Sequence, residues 1–241
     1  MNEPAITDIW VYLSASPLLG LTITLVAYGL AYRLYLKANS SPFANPVLVS
    51  VTMLILLLMV TGTRYSEYFE GARFVHFLLG PATVALAVPL YEQLARLKAL
   101  WLPVTIALIS GVMIAAGSSI WLARLLGGST EIQMSLAPKS ATAPVAMGIS
   151  ETIGGIPSLT AVLVVITGIT GAVMGTKLFE LMRIRDDSVK GIAMGVAAHG
   201  IGTARAFQVS NQMGAFSGLA MALSALATAL VVPWLVDFIG I

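Results

Sequence analysis

The stretch "LAPKSATAPVAMGISE", residues 136–151, carries two prolines, a lysine and a glutamate inside an otherwise apolar run. Proline removes a backbone N–H and clashes with the preceding turn, so a lipid-facing helix cannot run through this segment undisturbed. Broken backbone survives at membrane depth only against protein or a water-filled cavity. A break also creates a helix N-terminus, whose free N–H groups and positive dipole end favour an anion. The bland alternative is that Pro138 and Pro144 kink a packed helix or mark a loop between two shorter ones.

The surrounding chain makes membrane depth the relevant setting. Of 241 residues, 58% are hydrophobic and 10% charged, and the mean hydropathy is +0.91. Thirteen basic and eleven acidic side chains cannot cover the surface of a soluble domain of this size, whereas lipid-facing helices need no such cover. The expected fold class is therefore an all-α polytopic membrane protein, with residues 1–241 forming a single integral membrane domain. The sequence pI near 9.0 does not point to nucleic acid, because the basic residues lie in small groups at segment ends rather than on one face. With no cysteine, thiolate metal sites and cysteine nucleophiles are excluded. The N-terminal "MNEPAITDIW" has two acids and no basic region, so it is not read as a cleavable signal peptide.

Apolar windows bounded by charge give about eight segments: 9–36, 46–62, 74–95, 100–126, 131–153, 157–182, 188–211 and 214–239. The seventh is interrupted by "AAHGIGTARA". "LLGPATVALAVPLYE", ending at Glu92, and "SLAPKSATAPVAMGISE", ending at Glu151, share a Leu–small–Pro start, a small-residue run, a second Pro and an acid. That likeness suggests inverted repeats, about 46–126 and 131–211, with two broken or re-entrant helices as in many secondary transporters. The densest basic groups are Arg33 with Lys37, Arg96 with Lys98, and Arg183, Arg185 and Lys190. The positive-inside rule puts all three in the cytoplasm and the acidic N-terminus outside. Three apolar segments separate the second group from the third, so either one of them fails to cross fully, with 131–153 the candidate for a re-entrant hairpin, or a segment boundary is miscounted.

Several side chains could carry function. Lys139 in hydrocarbon costs about 2.5–3.5 kcal/mol on insertion scales and needs a cavity, a counter-ion or the interface. It is either a cationic contact for an anion or a snorkelling loop lysine. Arg205 could grip a carboxylate with two parallel N–H bonds while Thr203 adds a hydroxyl, or it could pair structurally with an acid such as Glu151. His199 is a possible proton carrier or a hydrogen-bonded packing residue. Glu92 and Glu151 could hold a coupling proton or sodium, although Glu92 has Arg96 four residues on as a ready ion-pair partner. Asp186 and Asp187 read as helix caps. Spacings of Gly171/Gly175, Gly191/Gly195 and Gly214/Gly218 allow close helix contacts or oligomerisation. No catalytic or metal motif is present, and no enzyme activity or resident cofactor is expected.

"LGPATVALAVPLYEQ", "LAPKSATAPVAMGISETIGGIPSLTAV" and "GIAMGVAAHGIGTARAFQ" resemble the LrgB/CidB family of bacterial membrane proteins from about residue 45 onward. That family takes in the C-terminal half of the plant plastid glycolate/glycerate translocator. The resemblance implies a transporter of small hydroxycarboxylates such as glycolate, glycerate, lactate or pyruvate in the bacterial inner membrane. Its other implication is a holin-like or antiholin-like regulator acting with a small LrgA/CidA-type membrane partner in murein hydrolase control and lysis. Under the transport reading, broken helices lined by Thr83, Lys139, Ser140, Thr142, Thr203 and Arg205 would receive the carboxylate and its hydroxyls.

Overall fold

A computed structural model describes residues 17–39, 41, 44–78, 81, 84–85 and 87–240, and its described elements are helical. The chain divides into two compact units, Met1–Ala85 and Leu86–Ile241.

In the first unit α1 (Pro17–Lys37) packs against both α2 (Pro46–Thr61) and α3 (Tyr65–Phe77). The Asn45 side chain accepts from the N–H groups of Val47 and Leu48, Pro46 follows at the first helical position, and Gly62 ends α2 with φ 65°. Those are the start and stop signals that local chemistry prefers. Gly20 lets α1 touch α3, since a Cβ there would lie 2.5 Å from the Tyr68 carbonyl oxygen. Thr24 Oγ1 and the Tyr68 hydroxyl, 2.7 Å apart, join the same two helices.

The second unit runs α4 (Ala87–Glu92), α5 (Leu94–Ala99), α6 (Trp101–Leu125), α7 (Thr130–Leu136), α8 (Ala143–Thr152), α9 (Pro157–Leu181), α10 (Asp187–Val209) and α11 (Asn211–Ile239). Among the described residues four helices are long and apolar enough to cross a membrane: α1, α6, α9 and α11. The segments between the last three fold back on themselves.

The first fold-back is α7 and α8, here hairpin A. Ser129 caps α7 through its hydroxyl, Pro138 follows the end of that helix, and Pro144 sits in the first turn of α8. The two prolines thus bracket a short tip at 137–142, whose backbone is satisfied by turns from Lys139 N–H to the Leu136 carbonyl and from Ala141 N–H to the Pro138 carbonyl. Ser135, near the end of α7, meets the end of α8 and the start of α9: its hydroxyl accepts from Ile156 N–H at 2.8 Å, and its carbonyl accepts from Thr160 Oγ1 at 3.0 Å. Thr160 Oγ1 is also 2.7 Å from Ser150 Oγ. The tip packs against the first third of α9, where Ala141, Ala146 and Val164 form one buried cluster. Residues 130–152 therefore enter and return on the same side, as the basic-residue parity requires.

The second fold-back is α10 itself, here hairpin B. A straight helix of 23 residues would hold its ends about 34 Å apart. Instead the Ser210 hydroxyl donates to Asp187 Oδ2 at 2.7 Å, and Gln212 Nε2 donates to Ser188 Oγ at 3.0 Å. The reversal is at His199, with φ 41° and ψ −133°. A left-handed φ on a residue with a Cβ costs on the order of 1–3 kcal/mol and needs surrounding support. Support comes from α9: His199 Nε2 donates to the Val164 carbonyl oxygen at 2.9 Å. Gly202 lets the two arms touch, because a Cβ there would meet Ala198 Cβ at 2.5 Å and the Met194 carbonyl at 3.1 Å.

The two hairpins enter from opposite ends of α6. Arg96, just before α6, reaches Asp186 at the base of hairpin B with 2.6 Å between charged atoms. Hairpin A follows the other end of α6, and its Met134 and Ala137 pack with Ala116 and Ile120 of α6 and Val232, Leu235 and Val236 of α11. Both tips reach Val164. The fold is thus span, hairpin, span, hairpin, span, with irregular backbone kept inside the protein as hydrocarbon demands.

The paired glycines serve this packing. A Cβ at Gly171 would strike Ala198 Cβ, one at Gly175 would meet Met194, one at Gly191 would strike the Met213 carbonyl, and one at Gly214 would strike Phe207.

Candidate functional site

Between α6, α9 and the rising arm of hairpin B lies a cavity of about 890 Å³. Its α6 wall is the stripe Leu100, Val104, Ala107, Gly111 and Ala115, its α10 wall runs from Ser188 to Ala197, and Thr167 and Thr170 contribute from α9. Lys139 and Ser140, from the tip of hairpin A, also line it. The stripe begins beside Arg96 and Asp186 and climbs about 22 Å along α6 to the level of that tip. Lys139 is the sole charged residue on the described lining, and among the described residues no carboxylate pairs with it. The cavity is therefore apolar along its walls and cationic at one point.

The structure brings together part of the sequence-read set. Lys139 and Ser140 share the cavity. Thr142 occupies the N-cap position of α8 without a side-chain capping bond. Thr203 is buried elsewhere, donating to the His199 carbonyl at 2.8 Å and lying 2.9 Å from Ser217 Oγ. Arg205 stands on the returning arm of hairpin B, where its Nη1 donates to Gln208 Oε1 at 3.1 Å, and it does not line the cavity. His199 holds the reversal against α9. Glu151 and Glu92 are exposed, and Arg96, the expected partner of Glu92, bonds to Asp186 instead. That choice is tertiary: the chain reversal at 183–187 delivers an acid that outcompetes the one a turn away. Thr83 lies outside the described residues.

Sequence reasoning missed the hydroxyl joint of Ser135, Ser150 and Thr160. All three are fully buried, and the signal available was hydroxyls spaced along segments that otherwise read as apolar. It also missed the closure of hairpin B by Ser188, Ser210 and Gln212.

At that closure Asp186 caps α10, accepting from the N–H groups of Ser188 and Val189. Partial burial opposes charge on Asp186, but those two N–H groups and the Arg96 guanidinium outweigh it and hold the carboxyl below its ordinary value. Hydrogen bonds from Lys190 and the Ser210 hydroxyl hold Asp187 low as well. The Arg96–Asp186 pair is about half exposed and so fixes geometry more than it adds stability. Because both folded-state values lie below the unfolded ones, the contribution is complete above the ordinary carboxylate range near pH 4 and fades as pH falls through the depressed values. On acidification from about pH 6 to about pH 3, hydrogen-exchange protection at Ser188 and Val189 is expected to fall, and Asp186→Asn should remove most of that pH step.

Known proteins resemble this chain over most of its length. A model described as the LrgB-like family matches residues 24–238. YwbG of Bacillus subtilis (strain 168) is 34% identical over 221 residues, covering 92% of this chain and 98% of its own. The proteins named Antiholin-like protein LrgB from Bacillus mycoides (strain KBAB4) and Bacillus cereus (strain B4264) are each 30% identical over 225 residues, covering 93% of this chain and 98% of theirs. No solved structure matches.

Proposed function

Because the chain belongs to the LrgB-like family, we propose that this multi-pass membrane protein is an antiholin-like regulator, acting with a small LrgA/CidA-type membrane partner to restrain murein hydrolysis and lysis. The observation that carries the reading is the likeness, over 93% of the chain, to proteins named antiholin-like. On this reading the protein sits in the bacterial cytoplasmic membrane, with the Arg96/Arg183 face inside as the positive-inside rule expects. The test is autolysis of a strain lacking both proteins, with this chain restored alone, with its partner, or not at all. Delayed turbidity loss when both are present supports the regulator; lysis kinetics identical in all three strains contradict it.

A second reading has a specific observation behind it. Lys139 and Ser140, carried to a cavity by a re-entrant tip, fit a transporter of small carboxylates or hydroxycarboxylates such as glycolate, glycerate, lactate or pyruvate, with a proton or sodium as coupling ion. A lone ammonium among apolar walls attracts the carboxylate, and the Ser140 hydroxyl matches an alcohol. Proteoliposomes holding only this protein should then take up one of these acids saturably, and Lys139→Gln should reduce that uptake by about 100-fold, the loss of one desolvated charge-assisted bond of about 3 kcal/mol. Uptake unchanged in Lys139→Gln removes the role given to the lysine.

A further inference from the structure

The cavity has a direction. Its wall starts at Leu100 and Ser188, beside the Arg96–Asp186 pair, and it reaches Lys139 and Ser140 at the opposite end. Its flank is open, with Ile114 and Ile166 exposed and apolar as lipid contact requires, but beyond the Lys139 end, toward the other face, the way is filled. Met134, Ala137 and Ile149 of hairpin A pack with Ala116 and Ile120 of α6 and Val232 of α11, each no more than 6% exposed. Alongside them the Ser135–Ser150–Thr160 joint ties both arms of the hairpin to the start of α9. Gly155 shows how close that joint is, since a Cβ there would strike Ser150 Oγ and lie 2.8 Å from Ser135 N.

We propose that Lys139 is the terminal contact of an anion site entered solely from the membrane face that carries Arg96, Arg183 and Arg185, and that hairpin A is the gate closing the other face. The occupant is a small organic monoanion. One ammonium with no carboxylate paired to it among the described residues matches one negative charge, and the aliphatic walls of Val104, Ala107, Ile192 and Val196 match an apolar body. Arg183 and Arg185 lie in the loop that leads to Asp186 and raise the local anion concentration at that mouth. Opening the far side requires the hydroxyl joint to part while the two proline-bracketed arms stay helical. The proposal rests on the second reading above, but its test reads access and not uptake.

The chain has no cysteine, so single cysteines report cleanly. Cysteine replaces Ser140, or Ala193 on the cavity wall, or Glu131 and Arg185 as markers of the two faces. Oriented vesicles are then treated from one side or the other with membrane-impermeant methanethiosulfonates, one anionic and one cationic, after each variant has been shown to be monodisperse in detergent. Ser140→Cys and Ala193→Cys should react solely from the side on which Arg185→Cys reacts. At Ser140→Cys the anionic reagent should be about tenfold faster than the cationic one, and adding Lys139→Gln should abolish that preference. Reaction of Ser140→Cys from the Glu131 side, or from neither side, overturns the proposal, as does equal rate for both reagents with Lys139 present. Sided labelling without uptake would retire the transport reading alone, whereas uptake with unsided labelling would retire the gate.

Discussion

Replacing Gly195 with leucine should cut the yield of folded, detergent-stable protein at least about tenfold, because overpacking a tight contact costs on the order of 1–3 kcal/mol even where side chains can yield. Here they cannot. A Cβ at Gly195 would strike the Ser217 carbonyl and lie 2.9 Å from both Ala220 Cβ and Met221 N. Two of those three groups are backbone of α11, and the rising arm of hairpin B must lie against that helix for Ser210 and Gln212 to reach Asp187 and Ser188. Gly117→Leu is the matched control, since a Cβ there meets nothing within 4 Å. Thermal stability by size-exclusion recovery checks both variants, and a Gly195→Leu protein as stable as the control would mean that hairpin B does not pack as described.

Thr160→Val should untie hairpin A. It keeps shape and removes the hydroxyl that donates to the Ser135 carbonyl and meets Ser150 Oγ, leaving two buried polar groups without that partner. Leaving such groups unsatisfied costs about 1–3 kcal/mol each. The loss should appear locally, as faster hydrogen exchange across 130–156 with 187–209 little changed. Thr160→Ser retains the hydroxyl and should restore most of the protection. Equal exchange in wild type and Thr160→Val would show that the joint does not hold the hairpin.

Hairpin A was partly legible in the sequence: two prolines and an uncompensated lysine in one apolar segment pointed to broken backbone, and the basic groups at 96–98 and 183–190 favoured an even count of crossings between them, while a kinked helix or a shifted boundary stayed open. The interruption at "AAHGIGTARA" was also visible, but its extent was not. No proline marks the turn, and the glycines at 191, 195, 200 and 202 read equally well as a face for helix contact. The meetings of Ser210 with Asp187 and of Gln212 with Ser188 reveal that the chain reverses completely. The same reversal explains the scatter of the candidate site. Arg205 and Thr203 sit on the returning arm, and a reading along the sequence cannot tell which arm of a hairpin faces the cavity. The similarity between 78–92 and 135–151 pointed to broken helices in both places; much of 78–92 lies outside the described residues, and the complete fold-back of 187–209 is the feature the likeness did not indicate.

The account stands on two opposed fold-backs, and topology decides it. Single cysteines at Thr130 and Glu151 flank hairpin A, and single cysteines at Arg185 and Gln208 flank hairpin B; all four positions are exposed. Labelled with an impermeant maleimide in oriented vesicles, Thr130→Cys and Glu151→Cys should react from one face and Arg185→Cys and Gln208→Cys from the other. Reaction of Thr130→Cys and Glu151→Cys from opposite faces would make residues 130–152 a full crossing and contradict the fold on which the cavity and its lysine depend.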